Sequence, residues 1–350
     1  MFYNDFESEL EFLLDKGAPS IKYLVRRDYM DCDRSSPDML NLQAMIFEQP
    51  NIKKLLTLQH ADGWLGCELH GNNGFDCIIT KLLDSGVEPD SQVIARAVSA
   101  LTDSDIMLNH KSTFRGGDAL DADGRGGNRA VVAKILARAG YSESKSPLRD
   151  EISLAWEQVF ASLCYTSVDD FTIKSGGKRY YKPRARFPGA NHIELLGLAH
   201  TWQTTDKLDA ARRSVANCYR LMCDIDEQIT FKKPREFGGG FVGPFNFDWQ
   251  SLSPLTPGLI IALTQDDYNY KFAFWLRSLT NTPRWAIQST GSYESLAELV
   301  KSGELVRSIP DKTFRAFHQV SGIEPNLRKK GAAECELVYC ALRAIHSALE

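Results

Sequence analysis

The stretch Gln59-His60-Ala61-Asp62-Gly63-Trp64-Leu65-Gly66, followed by Gly71-Asn72-Asn73-Gly74-Phe75, constrains this chain more than any other feature. It is a short Gly- and aromatic-rich turn that feeds two helix-length segments. A pair of amphipathic helices joined this way carries an apolar stripe that it cannot bury alone, so it must stack against further pairs. The expectation is an all-α protein built from helical hairpins.

The rest of the chain keeps that rhythm. Helical periodicity dominates, and alternating β-branched runs are nearly absent. Asp5 to Asp15 reads as a first helix; Pro19 opens a second, with Ile21, Leu24, Val25 and Tyr29 as its apolar stripe. Met39 to Phe47 and Ile52 to Leu58 follow, with Pro37 and Pro50 as breaks. Phe75 to Asp84 ends at Gly86, Ser91 caps Gln92 to Leu101, and Asn128 to Arg138 ends at Gly140. Arg149 to Leu163, His192 to Thr201, Asp206 to Cys223, Tyr268 to Leu279, Tyr293 to Lys301, Lys312 to Val320 and Ala332 to Leu349 complete about a dozen helices. Two long loops, near 169–188 and 232–257, interrupt the series, and their aromatic content points to ordered packing.

At 350 residues and 43% hydrophobic the chain can bury a large core, and one domain over 1–350 is the simplest organisation. A net charge of −4 argues against a polyanion-binding protein, so nucleic acid is not an expected partner. The acidic N-terminal segment has no basic n-region, and no apolar run approaches the roughly 18 residues needed to cross a bilayer. The eight cysteines are scattered, with no Cys-x-x-Cys, as expected of reduced thiols. A soluble, cytoplasmic protein is the expectation.

The turn at 59–66 resembles the repeat turn of terpene (squalene/hopene-type) cyclases and protein prenyltransferase β subunits, in which Gln caps a helix end, Asp and Gly make the reversal and Trp packs back onto the repeat. Such a resemblance implies a single (α/α) toroid, a barrel of helical hairpins around a central cavity. Gly238-Gly239-Gly240-Phe241-Val242-Gly243 is similar to the Gly-Gly-Phe-x-Gly turn of the prenyltransferases, where a zinc-binding Asp and Cys follow. Asp248 matches the Asp at a somewhat shorter spacing, but Trp249 and Gln250 come next and the thiolate is missing. With no His-x-x-x-His pair either, a three-ligand zinc site is not completed, and neither metal nor cofactor is expected.

Three segments hold candidate site residues. Asp121-Ala122-Asp123, in Gly116 to Arg125, resembles the Asp-x-Asp-Asp at a helix entrance of class II terpene cyclases, with Gly124 in place of the last acid. Closely set carboxylates raise one another's pKa and leave one protonated as an acid, which makes Asp121 and Asp123 the catalytic candidates; the competing reading is a cluster that complements the helix dipole. His192, in Pro188 to Ala199, opens a helix that looks like a toroid inner helix, where it either holds diphosphate or packs the loop. The segment 174–186 carries six basic residues and no acid. Lys178, Arg179, Tyr180, Arg184 and Arg186 either grip a diphosphate or form a solvated basic loop. Trp64, Phe75, Phe241, Phe245, Phe247 and Trp249 either staple hairpins or line the cavity.

The resemblance therefore implies a prenyltransferase/terpene-cyclase-like protein that binds a hydrophobic or diphosphate-bearing, isoprenoid-like small molecule in a central cavity and, if catalytic, acts as a lyase/cyclase or transferase. The alternative is a non-catalytic helical-repeat scaffold that binds a partner protein; a glycoside-processing (α/α) barrel would need two carboxylates facing each other across the mouth.

Overall fold

In a computed structural model, residues 2–71, 73–110, 115–122, 124, 126–223, 229–230, 254–266, 270–288 and 290–349 are described. Helix accounts for 65% and strand for 4%, about twice the ordinary helical share, so the chain is all-α. The first half runs α1 (Phe2–Asp5), α2 (Glu7–Lys16), α3 (Pro19–Asp28), α4 (Pro37–Glu48), α5 (Pro50–Leu56), α6 (Phe75–Asp84), α7 (Gln92–Thr102), α8 (Ser104–Asn109), α9 (Arg115–Ala122), α10 (Asn128–Arg138) and α11 (Leu148–Ala161). After β1 (Thr172–Ser175) and β2 (Lys178–Tyr181) come α12 (Ala190–Leu198), α13 (Thr205–Cys223) and β3 (Ile229–Thr230). The chain closes with α14 (Pro257–Thr264), α15 (Lys271–Asn281), α16 (Gly291–Lys301), α17 (Glu304–Ser308), α18 (Asp311–Ser321) and α19 (Ala332–Leu349).

The expected stripes are the buried ones. Ile21, Leu24 and Val25 of α3 and Phe75, Ile78, Ile79 and Leu82 of α6 are all shut from solvent, and they belong to one core that runs from Phe6 to Ala348. In the 59–66 turn, the Asp62 carboxylate accepts from the Trp64 amide at 3.0 Å. Gly63 takes φ +93°, where a side chain would collide with the Arg96 carbonyl. The Gln59 amide donates to the carbonyls of Gly63 and Val93, which ties the turn to the start of α7. Trp64 is fully buried against Phe75 and stacks on His110, so these two aromatics are packing residues. Phe241, Phe245, Phe247 and Trp249 lie outside the described residues, as do the rest of 231–253 and Asp248.

Several local expectations change. Ser91 precedes α7 but its hydroxyl makes no cap; the side-chain cap nearby is Asp103, which accepts from the Asp105 and Ile106 amides to open α8. The stretch 169–188 is not a plain loop: β1 and β2 pair antiparallel across Gly176-Gly177, both at positive φ, and β3 adds to β2 in parallel. Two consecutive residues at φ > 0 are the demand of a tight hairpin turn.

Packing links several of these helices in series. α6 packs on α10, α10 on α12, α15 on α19, and α19 on α3. Gly197 of α12 meets Pro283 just after α15, and Tyr23 of α3 bonds Glu88 just after α6. Tyr29, Arg138, Leu198, Asn281 and His346, at or near the ends of α3, α10, α12, α15 and α19, line a common mouth. Asp84, the last residue of α6, bonds Arg138 and Arg343 at the same level. The C-terminal parts of α3, α10, α12, α15 and α19 are therefore gathered at that mouth, with the end of α6 beside it.

Candidate functional site

Two cavities adjoin at these helix ends. The mouth encloses about 670 Å³, and below it a chamber of about 180 Å³ lies among α6, α10, α15, α18 and α19. Arg138, Arg343, Thr280 and Asn281 line both and form the waist between them. The Asp84 carboxylate accepts from both guanidiniums, at 2.9 Å from Arg343. Burial alone would push Asp84 up, but the charges of Arg138 and Arg343 outweigh it and hold the group far below the usual carboxylate range. One carboxylate thus answers two guanidiniums. The negative ends of the helix dipoles complement part of this excess, but that effect fades within the last turn.

Deeper in, Val131, Ile135, Leu276, Phe317, Val320 and Ile323 supply apolar wall, and further charges face the same space. Lys134, one turn below Arg138, bonds Glu194 at 2.9 Å and Asn191 at 3.1 Å. Arg277 is exposed on the chamber side of α15 and has no ion pair among the described residues. In all, Lys81, Lys134, Arg138, Arg277 and Arg343 face Asp76, Asp84 and the Glu194 paired to Lys134, an excess of positive charge. At the far end, His70 Nδ1 lies 2.5 Å from Asp76, and this bond raises the His70 pKa. The chamber is therefore suited to an anion with a small apolar part.

The acid candidate sits elsewhere. Asp121, near the end of α9, accepts from the Arg129 backbone amide at 3.1 Å and so caps the start of α10, whose N-cap is Gly127. Its carboxyl is pushed up to about 6, first by burial and then by the neighbouring Glu151, against the opposing pull of Arg129. The Arg129 guanidinium lies 3.8 Å from Asp121 and 3.6 Å from Glu151. Glu151 Oε1 is in turn 3.4 Å from Nε2 of the fully buried His192, whose Nδ1 has no hydrogen-bond partner among the described residues. Two of the residues singled out in the sequence, Asp121 and His192, thus belong to one cluster, joined by Glu151 and Arg129. Gly126 makes this possible: at φ +74° its chain passes so close to the His192 ring that a Cβ would sit 3.0 Å from Nε2. Asp123 lies outside the described residues.

The basic residues of 174–186 are not gathered. Lys178 and Tyr180 alternate with Arg179 along β2, so they project to the opposite face. Arg179 is buried and bonds Asp169 at 2.6 Å and the Thr172 hydroxyl at 2.7 Å. Arg184 is exposed at φ +58°, and Arg186 reaches Glu157 at 3.7 Å.

The waist residues escaped sequence reasoning because Asp84 and Arg138 are the last residues of their helices, where a charge reads as a solvated end, and Arg343 lies more than a turn inside α19 with nothing local to mark it. The available signal was a second polar stripe, Asp76-Thr80-Asp84 on α6 and Lys134-Arg138 on α10, at helical spacing.

Among the described residues no group of three or more His, Cys, Asp or Glu is placed to hold a metal ion, and no helix is long and apolar enough to cross a membrane. Among the described residues seven cysteines are free thiols, and burial raises the pKa of Cys77 and Cys340, which line the chamber. Comparison with protein-family models, curated proteins and solved structures finds no match to this chain.

Proposed function

We propose that the chain is a divergent prenyltransferase- or terpene-cyclase-like (α/α) toroid that binds a diphosphate-bearing, hydrophobic small molecule in its central chamber. The single observation that carries the reading is the waist, where Arg138 and Arg343 share the one carboxylate of Asp84 directly above an apolar-walled space. Guanidiniums pair bidentately with phosphate, and a cationic waist over apolar wall suits a charged head with an apolar tail. The gathering of the C-terminal parts of α3, α10, α12, α15 and α19 at one mouth, with the end of α6 beside it, supports the toroid. In this reading the anion is held by the waist and not by Lys178, Arg179, Tyr180, Arg184 and Arg186, and Asp121 with His192 forms a separate acid cluster whose role in any turnover is secondary to binding.

Calorimetry with isopentenyl diphosphate tests this. Arg138→Ala and Arg343→Ala each leave Asp84 one guanidinium, so both variants keep the carboxylate paired. Each is expected to lose about tenfold or more in affinity, the worth of a charge-assisted hydrogen bond, and the wild-type affinity should fall with added salt. A Lys178→Ala, Arg184→Ala, Arg186→Ala triple variant should bind as the wild type does. An unmodified protein that binds no prenyl diphosphate would leave the partner-binding scaffold as the better account.

A further inference from the structure

The chamber's dimensions narrow the ligand. Asp84 at the waist and Asp76 at the far end stand eight residues apart on α6, which is about 12 Å along the helix axis. The space between is about 180 Å³. An apolar cavity of about 150 Å³ holds a benzene molecule, so the chamber takes a group of about that size and little more. Its far end is also polar. His70 and Asp76 face it, and Lys134 lines the same space one turn below the waist, paired to Glu194 and Asn191. A tail that pushed past Leu276 and Phe317 toward Asp76 would strip water from the hydrogen-bonded His70–Asp76 pair without replacing its hydrogen bonds, which is unfavourable.

We infer that the ligand is a diphosphate ester of a short apolar group, about five carbons, with its head at Arg138 and Arg343 and its tail ending before the His70–Asp76 pair. This rests on the anion-at-the-waist reading above and adds to it a limit on chain length. The wider mouth of about 670 Å³ does not relax the limit, because it lies on the other side of the waist and opens to solvent, with Arg27, Asp28 and Asp31 lining it beside Leu198, Pro283 and Trp285. A long prenyl chain anchored at the waist would have to choose between that open mouth, where much of it stays in water, and the short chamber. A short one fills the chamber and leaves the mouth open for solvent or a second reactant.

Titrating the full-length protein with inorganic pyrophosphate, isopentenyl diphosphate, geranyl diphosphate and farnesyl diphosphate under one salt condition separates the two layers of the proposal. The inference expects isopentenyl diphosphate to bind about tenfold or more tighter than pyrophosphate, because its buried methylenes contribute, and likewise tighter than the two longer esters. Affinity that climbs steadily through farnesyl diphosphate overturns the length limit and keeps the waist. Equal binding of pyrophosphate and isopentenyl diphosphate overturns the tail site and leaves a simple anion site. No binding of any of the four removes the waist reading itself.

Discussion

Asp121 commits its carboxylate to the start of α10 while sitting close enough to Glu151 and deep enough in the protein to hold its proton up to about pH 6. Because the folded-state pKa lies above the ordinary value of 3.8, the folded protein binds this proton more tightly than the unfolded chain does. Stability should therefore fall as pH rises from about 4 to about 6, and the ionised group at pH 7 should be a net cost. Asp121→Asn keeps an acceptor for the Arg129 amide and removes the charge. Denaturant unfolding at pH 7 should find it more stable than the wild type by up to about 3 kcal/mol, at about 1.4 kcal/mol per pKa unit, with a flatter profile between pH 4 and 6. Asp121→Ala also loses the cap, which offsets about 1 kcal/mol of that gain. An Asn variant that is less stable at pH 7 and keeps the wild-type pH slope would contradict this account of the carboxyl. At this scale the sequence was half legible. The run of glycines and acids before Asn128 marked Asp121 as a helix-entrance carboxylate, yet Glu151 looked like any acid in a first turn until the fold laid it beside His192. Arg179 shows the reverse limit, since nothing in a run of six basic residues says which one turns inward to bond Asp169 and Thr172.

Among the elements, those with a clean period were readable to the residue. Phe75–Asp84 and Asn128–Arg138 match their expected bounds because each couples an apolar stripe to a terminating glycine, Gly86 at φ +87° and Gly140 at φ +71°. The short helices α8 and α17 were missed because six and five residues are too few to show a 3.6-residue period. α14 escaped for another reason: Gly258-Leu259-Ile260-Ile261-Ala262-Leu263 is apolar all round and has no stripe to read. The β1–β2 hairpin did carry a signal, Gly176-Gly177 between short alternating runs, but the density of lysine and arginine made it look like a solvated loop. The seam between α12 and α15 offers a direct test of the packing. A Cβ on Gly197 would sit 2.7 Å from the Pro283 ring, so Gly197→Ala must push α12 away from the end of α15. Overpacking of this kind should lower the unfolding free energy by about 1 to 3 kcal/mol, where an unhindered glycine-to-alanine change in a helix would raise it by about 1 kcal/mol. A stabilised Gly197→Ala protein in thermal or denaturant unfolding would show that the two helices do not meet as described.

For the whole molecule, the decisive property is where separate helices meet. α3, α10, α12, α15 and α19 bring their C-terminal parts to one mouth with the end of α6 beside it, so the side chains that matter there are far apart in sequence: Asp84, Arg138 and Arg343 are separated by 54 and 205 residues. A linear reading of the chain found the all-α class from periodicity but could not find that meeting point, because no local motif encodes it. It looked for an anion site where basic residues are dense, at 174–186, whereas the fold makes a positive excess from single arginines on separate helices. The most direct test is a crystal structure of the protein with isopentenyl diphosphate bound. The account predicts phosphate density bridging the Arg138 and Arg343 guanidiniums, with the hydrocarbon directed toward Leu276 and Phe317. Diphosphate seated instead beside Lys178, Arg184 and Arg186, with the chamber empty, would contradict it.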